Sequence, residues 1–137
     1  MTSPAPIPRV VVTAAVVERD GTYLVTRRPA GVHLGGLWEF PGGKCEPGES
    51  FAACLAREIR EELGCDVEVR DEVFTVSHAY PERVVELHFF DCVLKGEPVS
   101  LLAQQLRWVP RAELRSLEFP PADYELIERL SRQTAGG

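Results

Sequence analysis

The run RVVVTAAVV, from Arg9 to Val17, is β-branched and almost unbroken by polar residues. A strand with one wet face alternates apolar and polar side chains, so a continuous run predicts a strand buried on both faces. Such a strand needs a packed layer on each side of it, and the rest of the chain must supply both. With 137 residues there is material for one core and little more. The expected organisation is a loose N-terminal arm over residues 1–8 followed by a single domain over 9–133. No repeat, linker or low-complexity block interrupts it.

The remaining segments predict what those layers are. ERDG at Glu18 to Gly21 is a hairpin turn and TYLVTRR the returning strand. PAGVHLGG is too rich in Gly and Pro for regular structure and predicts a loop where a ligand can enter, ahead of Trp38-Glu39-Phe40. After Pro47-Gly48, Glu49 or Ser50 is placed to cap a helix reaching about Leu63, with Gly64 ending it. Phe51, Leu55 and Ile59, with Ala52 and Leu63 beside them, form its expected buried stripe, and the acids lie off that stripe. CDVEVR, EVFTVSHAY and RVVELHFFDCVL read as three further strands, LRWV as a short one, RAELRSL as a helical turn, and PADYELIERLSR as a terminal helix opened by proline. TAGG is expected to fray. The fold class that results is α/β (α+β), a mixed curved β-sheet sandwiched between helices.

A formal net charge of -6 and the lack of a basic patch exclude duplex nucleic acid as a partner, because such binding neutralises phosphates with Lys and Arg. MTSPAPIP lacks the charged start and apolar core of a signal peptide, and no apolar run approaches a membrane span. Cys45, Cys54, Cys65 and Cys92 are spread singly, without zinc-ligand spacing, and read as free thiols of a reducing, cytoplasmic setting.

The helix carries a charge problem. Glu58, Glu61 and Glu62 lie at i, i+3 and i+4, so they are expected to form one carboxylate cluster. A solvated face eased by Arg57 and Arg60 would explain it. So would a hard divalent cation, Mg2+ or Mn2+, which takes oxygen ligands and bridges carboxylates to a substrate phosphate. Gly42 and Gly43 just upstream let backbone approach a phosphate or metal where a β-carbon would intrude.

Gly43, five residues, Glu49, seven residues, then Arg57-Glu58-Ile59-Arg60-Glu61-Glu62-Leu63-Gly64 resembles the Nudix box, G-x5-E-x7-R-E-U-x-E-E-x-G-U, in which U is bulky and apolar. All seven fixed positions agree, and Cys65 stands in for the last aliphatic residue. The resemblance implies hydrolysis of a nucleoside diphosphate linked to another group, with Mg2+ or Mn2+ held by Glu58, Glu61 and Glu62 and by the Gly42 carbonyl. Arg57 would pair with Glu49 at the helix start. One carboxylate would take the proton of the attacking water, and the pattern leaves open which.

TRRPAGVHLGGLWEFPGGK, with LRWVP and FPPAD later, resembles MutT-like nucleotide pyrophosphohydrolases, the branch with the 8-oxo-dGTP and CTP enzymes. That likeness implies a substrate pocket using Arg28, His33, Glu39, Phe40, Lys44 and Asp123. Where the 8-oxo-dGTP enzymes have Asn after F-P-P-A, this chain has Asp123, expected as an ionised carboxylate that accepts hydrogen bonds from guanine or cytosine N–H groups. Where many relatives have Glu six residues before Trp108, it has Leu102, and Gln104 or Gln105 would be the nearby polar groups. His78 and His88 fall on strands and are expected to be structural. No Ser-His-Asp or Cys-His pattern points to a covalent nucleophile.

The expected activity is therefore release of pyrophosphate from a nucleoside triphosphate, either an oxidised purine nucleotide such as 8-oxo-dGTP or a cytosine nucleotide. Hydrolysis of ADP-ribose or dinucleotide diphosphates is the second enzyme reading, and a lesion-binding module without catalysis is the alternative outside enzymology. The partner is a small nucleotide, not a membrane, and the chain is expected as a monomer or homodimer.

Overall fold

The computed structural model describes residues 7–32 and 34–132. Most of the expected N-terminal arm and the TAGG tail therefore lie outside the described residues, although the Pro8 carbonyl already accepts from the Val84 amide at 2.9 Å. Seven strands form one mixed sheet: β1 (Arg9–Arg19), β2 (Thr22–Arg27), β3 (Trp38–Glu39), β4 (Gly42–Lys44), β5 (Asp66–Ala79), β6 (Val84–Lys95) and β7 (Gln105–Pro110). The helices are α1 (Phe51–Leu63) and α2 (Tyr124–Arg132), with 3-10 turns at Arg111–Ser116 and Pro121–Asp123.

β1 is the axis of the sheet. It runs parallel to β6 from Arg9↔Val84 to Val17↔Cys92, pairs antiparallel with β4 at Val12 to Ala14, and then turns into the β2 hairpin. Asp20 and Gly21 both take positive φ, 51° and 78°, the combination that closes a two-residue hairpin with the twist of its strands. The expectation of burial on both faces holds from Ala14 to Val17. Ala14 and Val16 face a core with Phe40, Phe89, Phe119, Leu126 and Ile127, whereas Ala15 and Val17 face one with Leu55, Ile59, Leu63, Phe90 and Leu94. One helix covers each face, so the mixed sheet lies between helices as its sequence pattern demands.

Two expectations about elements are revised. CDVEVR and EVFTVSHAY are one continuous strand, β5, because the register slips against β6 between Val69 and Glu72 and again before Phe74. Those irregularities bend a strand without ending it. On α1 the buried residues are Cys54, Leu55, Ile59, Glu62 and Leu63, whereas Phe51 and Ala52 are exposed. The first turn overhangs the sheet, and there Phe51 stacks on the His88 ring at 4.3 Å with its outer face in water. One acid, Glu62, thus belongs to the buried arc. Leu55, Ile59 and Leu63 each contribute roughly 1.5–3 kcal/mol by leaving water, which holds the helix down despite that charge. Ser50 caps the helix by accepting from the Ala53 amide at 3.1 Å, and Gly64 ends it in the left-handed conformation.

Among the described residues, no helix is long and apolar enough to cross a membrane.

Candidate active site

The site starts from the pairing of β4 with β1. Ala15 donates to the Pro41 carbonyl and Cys45 to that of Val11, so Pro41, Gly43 and Cys45 turn their backbone groups toward β1. In an antiparallel ladder the alternate residues, Gly42 and Lys44, then point theirs away. The neighbours agree: the Gly42 backbone favours the ionised Glu62 carboxyl, and the Lys44 carbonyl accepts from Arg57 Nη2 at 3.0 Å. The backbone of β1 excludes a side chain at Gly42, and one at Gly43 would have to push Glu58 aside. A β-carbon at Gly42 would fall onto the Thr13 carbonyl and Ala14, and one at Gly43 onto the carboxyl group of Glu58.

Arg57 organises the acids. Its Nε donates to Glu49 Oε2 at 2.7 Å and its Nη2 to Glu49 Oε1 at 2.9 Å, while Nη1 reaches Glu58 Oε1 at 3.0 Å and Glu61 Oε2 at 3.3 Å. The guanidinium holds the Glu49 carboxyl down at about 2, helped by the Glu46 amide. The three box glutamates do not converge on one point. Glu58 and Glu62 face the cavity described below, Glu61 turns outward to Arg57, and among the described residues no group of three His, Cys, Asp or Glu is close enough to hold an ion. Arg57 draws two of the acids to itself, which is why the spacing on the helix overstates their clustering.

Burial pushes the Glu62 carboxyl up to about 8, with the charges of Glu39 and Glu58 adding to it, and raises Glu58 as well. Glu62 Oε2 is buried without a hydrogen-bond partner. An orphaned carboxylate oxygen, the Glu58 carboxyl against Gly43, and a Gly42 carbonyl directed away from β1 are hard oxygen donors on one side of the fold. They suit Mg2+ or Mn2+ better than a softer metal.

Beside them opens a cavity of about 410 Å³, within the usual size for small-ligand sites. Its walls bring together Arg28, Glu39, Phe40, Gly42, Lys44, Glu58, Glu62 and Asp123, from both ends of the chain. Arg28 Nη1 pairs with Glu39 Oε2 at 3.2 Å, yet burial outweighs that cation and the Glu39 carboxyl is raised. Phe40 stacks on Phe119 at 5.6 Å, which aligns β3 with the segment leading to Asp123. Asp123 sits in a 3-10 turn started by Pro120 and Pro121 and is only 5 % exposed. Burial, then the charge of Glu39, pushes its carboxyl up to about 7. That burial works against the ionised form expected for Asp123, and in its protonated form the acid donates as well as accepts.

Other expected residues fall as follows. Gln104 lines the cavity, whereas Gln105 binds Arg27 and Leu102 is exposed away from it. His33 lies outside the described residues, but Val32 and Leu34 of the same loop line the cavity. His88 is buried between Glu86 at 2.7 Å and Glu72 at 3.1 Å, outside the cavity, and His78 packs on Tyr80. Sequence reasoning missed Tyr80 and Arg83, which flank the Pro81-Glu82 turn and form part of the wall. The turn was legible; the side on which it closed was not.

A family model for the NUDIX domain matches residues 12–129. The chain belongs to the Nudix family. Among curated relatives, the CTP pyrophosphohydrolase of Escherichia coli K12 is 39% identical over 118 residues, covering 85% of this chain and 87% of that one. The 8-oxo-dGTP diphosphatase of Haemophilus influenzae is 34% identical over 127 residues, covering 90% and 92%. The solution structure of the E. coli ORF135 protein superposes with a TM-score of 0.79 at 37% identity, covering 89% of this chain and 88% of that one. This Nudix domain thus carries its box on β4 and α1, and its cavity against the residues that hold the box in place.

Proposed function

We propose that this Nudix hydrolase removes oxidised nucleotides from the nucleotide pool, converting nucleoside triphosphates such as 8-oxo-dGTP to the monophosphate and pyrophosphate with Mg2+ or Mn2+. It is a hydrolase acting on acid anhydrides. The observation that carries the reading is the shared cavity: Asp123, which is buried, and Glu39, which is half-buried, are acids suited to a base edge and line the same space as Glu58, Glu62 and Gly42. A base and its phosphates therefore fit one ligand spanning both.

In this reading Glu58, Glu62 and the Gly42 carbonyl would hold the cation, and Glu61 would join them on release from Arg57. When bound, it neutralises the diphosphate and makes the attacking water more acidic. The chain's own residues do the rest. Phe40 packs against the base plane, and Asp123, donating and accepting, reads its edge. Arg28 and Lys44 supply positive charge for a phosphorylated ligand, Arg57 and Glu49 fix the start of α1, and a box carboxylate takes the proton of the attacking water. The setting is cytoplasmic, in line with four unpaired cysteines.

A cytosine nucleotide is the second reading, supported by the 39% identity to a CTP pyrophosphohydrolase and by an acid at position 123, which accepts from an exocyclic amine. One panel decides between them. With 8-oxo-dGTP, dGTP, CTP, dCTP, 5-methyl-dCTP and ADP-ribose, the highest kcat/KM is expected on 8-oxo-dGTP with pyrophosphate as product. A preference for CTP or dCTP would establish the second reading, and turnover of ADP-ribose alone, or of no nucleotide, would overturn both.

A further inference from the structure

Cys45 and Cys54 meet in the seam between β4 and α1. Gly43 and Cys45 are two residues apart on an extended segment and share a face. Cys54 and Glu58 are four apart on a helix and share one too. The two pairs run along the same seam. A β-carbon at Gly43 would meet Glu58, Cys54 Sγ lies 3.2 Å from Thr13 Oγ1 and 3.8 Å from the Gly43 carbonyl, and Cys45, the next side chain along that face, is close enough to act on the Cys54 thiol. The Cys45 amide continues the ladder to Val11, so that position is fixed by the sheet.

We propose that Cys45 and Cys54 form an oxidisable dithiol, closed to a disulfide by a peroxide, that clamps the glycine segment of the box to its helix. The two differ in access, as an ordered oxidation needs. Cys45 is half-buried and Cys54 fully buried, whereas Cys65 and Cys92 sit in the core on the α1 side of the sheet, apart from this pair. The Cys45 sulfur attacks a peroxide oxygen, the O–O bond breaks and water leaves, giving a sulfenic acid. The Cys54 sulfur then attacks Cys45, the S–O bond breaks, and the departing hydroxide takes the Cys54 proton. Two thiols and one hydrogen peroxide become a disulfide and two waters.

A sulfur–sulfur bond of about 2.05 Å is shorter than any contact between thiols, so closure draws the first turns of α1 toward β4. The Glu58 carboxyl lies against Gly43, in the space a β-carbon there would fill, so it must swing away as the seam closes. The clamp therefore displaces a box acid, and oxidation reversibly lowers turnover. The dithiol itself is independent of which nucleotide is the substrate.

The test is to treat the full chain, metal-free, with hydrogen peroxide, alkylate it, and measure intact mass and linked peptides. Expected are a loss of about 2 Da, for two hydrogens, a peptide pair joining Cys45 to Cys54, and reversal by dithiothreitol. Cys45→Ser, a change at a half-buried position, is expected to abolish the loss, and a Cys65→Ala/Cys92→Ala double variant to keep it. Oxygen added to Cys45 without loss of hydrogen, a bond to another cysteine, or a link between two chains would each overturn the proposal. Unchanged turnover after the bond is mapped would overturn the clamp's effect on Glu58.

Discussion

Arg57 grips Glu49 through two parallel hydrogen bonds, 2.7 Å and 2.9 Å long, across eight residues that include the whole N-terminal turn of α1. The fork geometry requires a guanidinium; an ammonium makes one such bond at a time. Arg57→Lys is therefore expected to lower kcat/KM on the order of tenfold to a hundredfold, since Glu58 and Glu61 lose their shared anchor. The pair also sets an acid limit. Glu49 is held at about 2 against an ordinary 4.5, so its contribution to stability is complete above about pH 4.5 and is lost as pH falls toward 2. Glu49→Gln should flatten that part of the pH–stability curve, as read by thermal unfolding from pH 2 to 6.

Gly43→Ala tests the close approach of β4 to the helix. Its new methyl group lands on the Glu58 carboxyl, which must swing aside, so if Glu58 holds the cation the variant should keep most of its stability and lose most of the rise in Tm expected on adding Mg2+. An unaltered Mg2+ response would show that Glu58 does not hold the cation.

Glu62→Gln should separate stability from activity. Oε2 is buried without a partner, and a carboxyl held there costs stability that a neutral amide relieves. The metal-free variant is expected to unfold at a higher temperature, by about 1–2 kcal/mol, while turnover falls at least a hundredfold. Loss of both would point to a structural role.

Asp123 gives a pH signature of opposite sign to Glu49. Its carboxyl is raised to about 7 from 3.8, so the folded chain binds the proton more tightly than the unfolded one. Stability attached to that proton is full below about pH 4 and declines as pH rises to about 7, with an upper limit of about 4 kcal/mol. Asp123→Asn should gain on the native protein as pH rises from 4 to 8 in calorimetry. It should also shift the nucleotide panel, because an amide presents the same donor and acceptor at every pH.

The architecture was legible where one physical signal dominates. RVVVTAAVV admits little besides a doubly covered strand, Asp20-Gly21 a tight hairpin, and Ser50 and Gly64 the ends of a helix. What failed to show depended on contacts made across the fold. That β5 bends and continues is decided by its register with β6, and that Phe51 lies outside while Glu62 lies inside depends on where α1 meets the sheet. The spacing of the box acids foretold a cluster, yet Arg57 competes for them. Asp123 was visible as an acid, but the burial that raises its carboxyl depends on β5 and on Glu39, elements far from it in the chain.

β1 joins both halves of this machine: Thr13 and Ala14 carry the glycines of β4, and Val10, Val12 and Ala14 floor the cavity. Substrate choice and bond cleavage are thereby measured from a common ruler. If the proposed function holds, changes at the rim, in the loop around Leu34 or the turn at Tyr80 and Arg83, are expected to alter base preference without disturbing the alignment of phosphates.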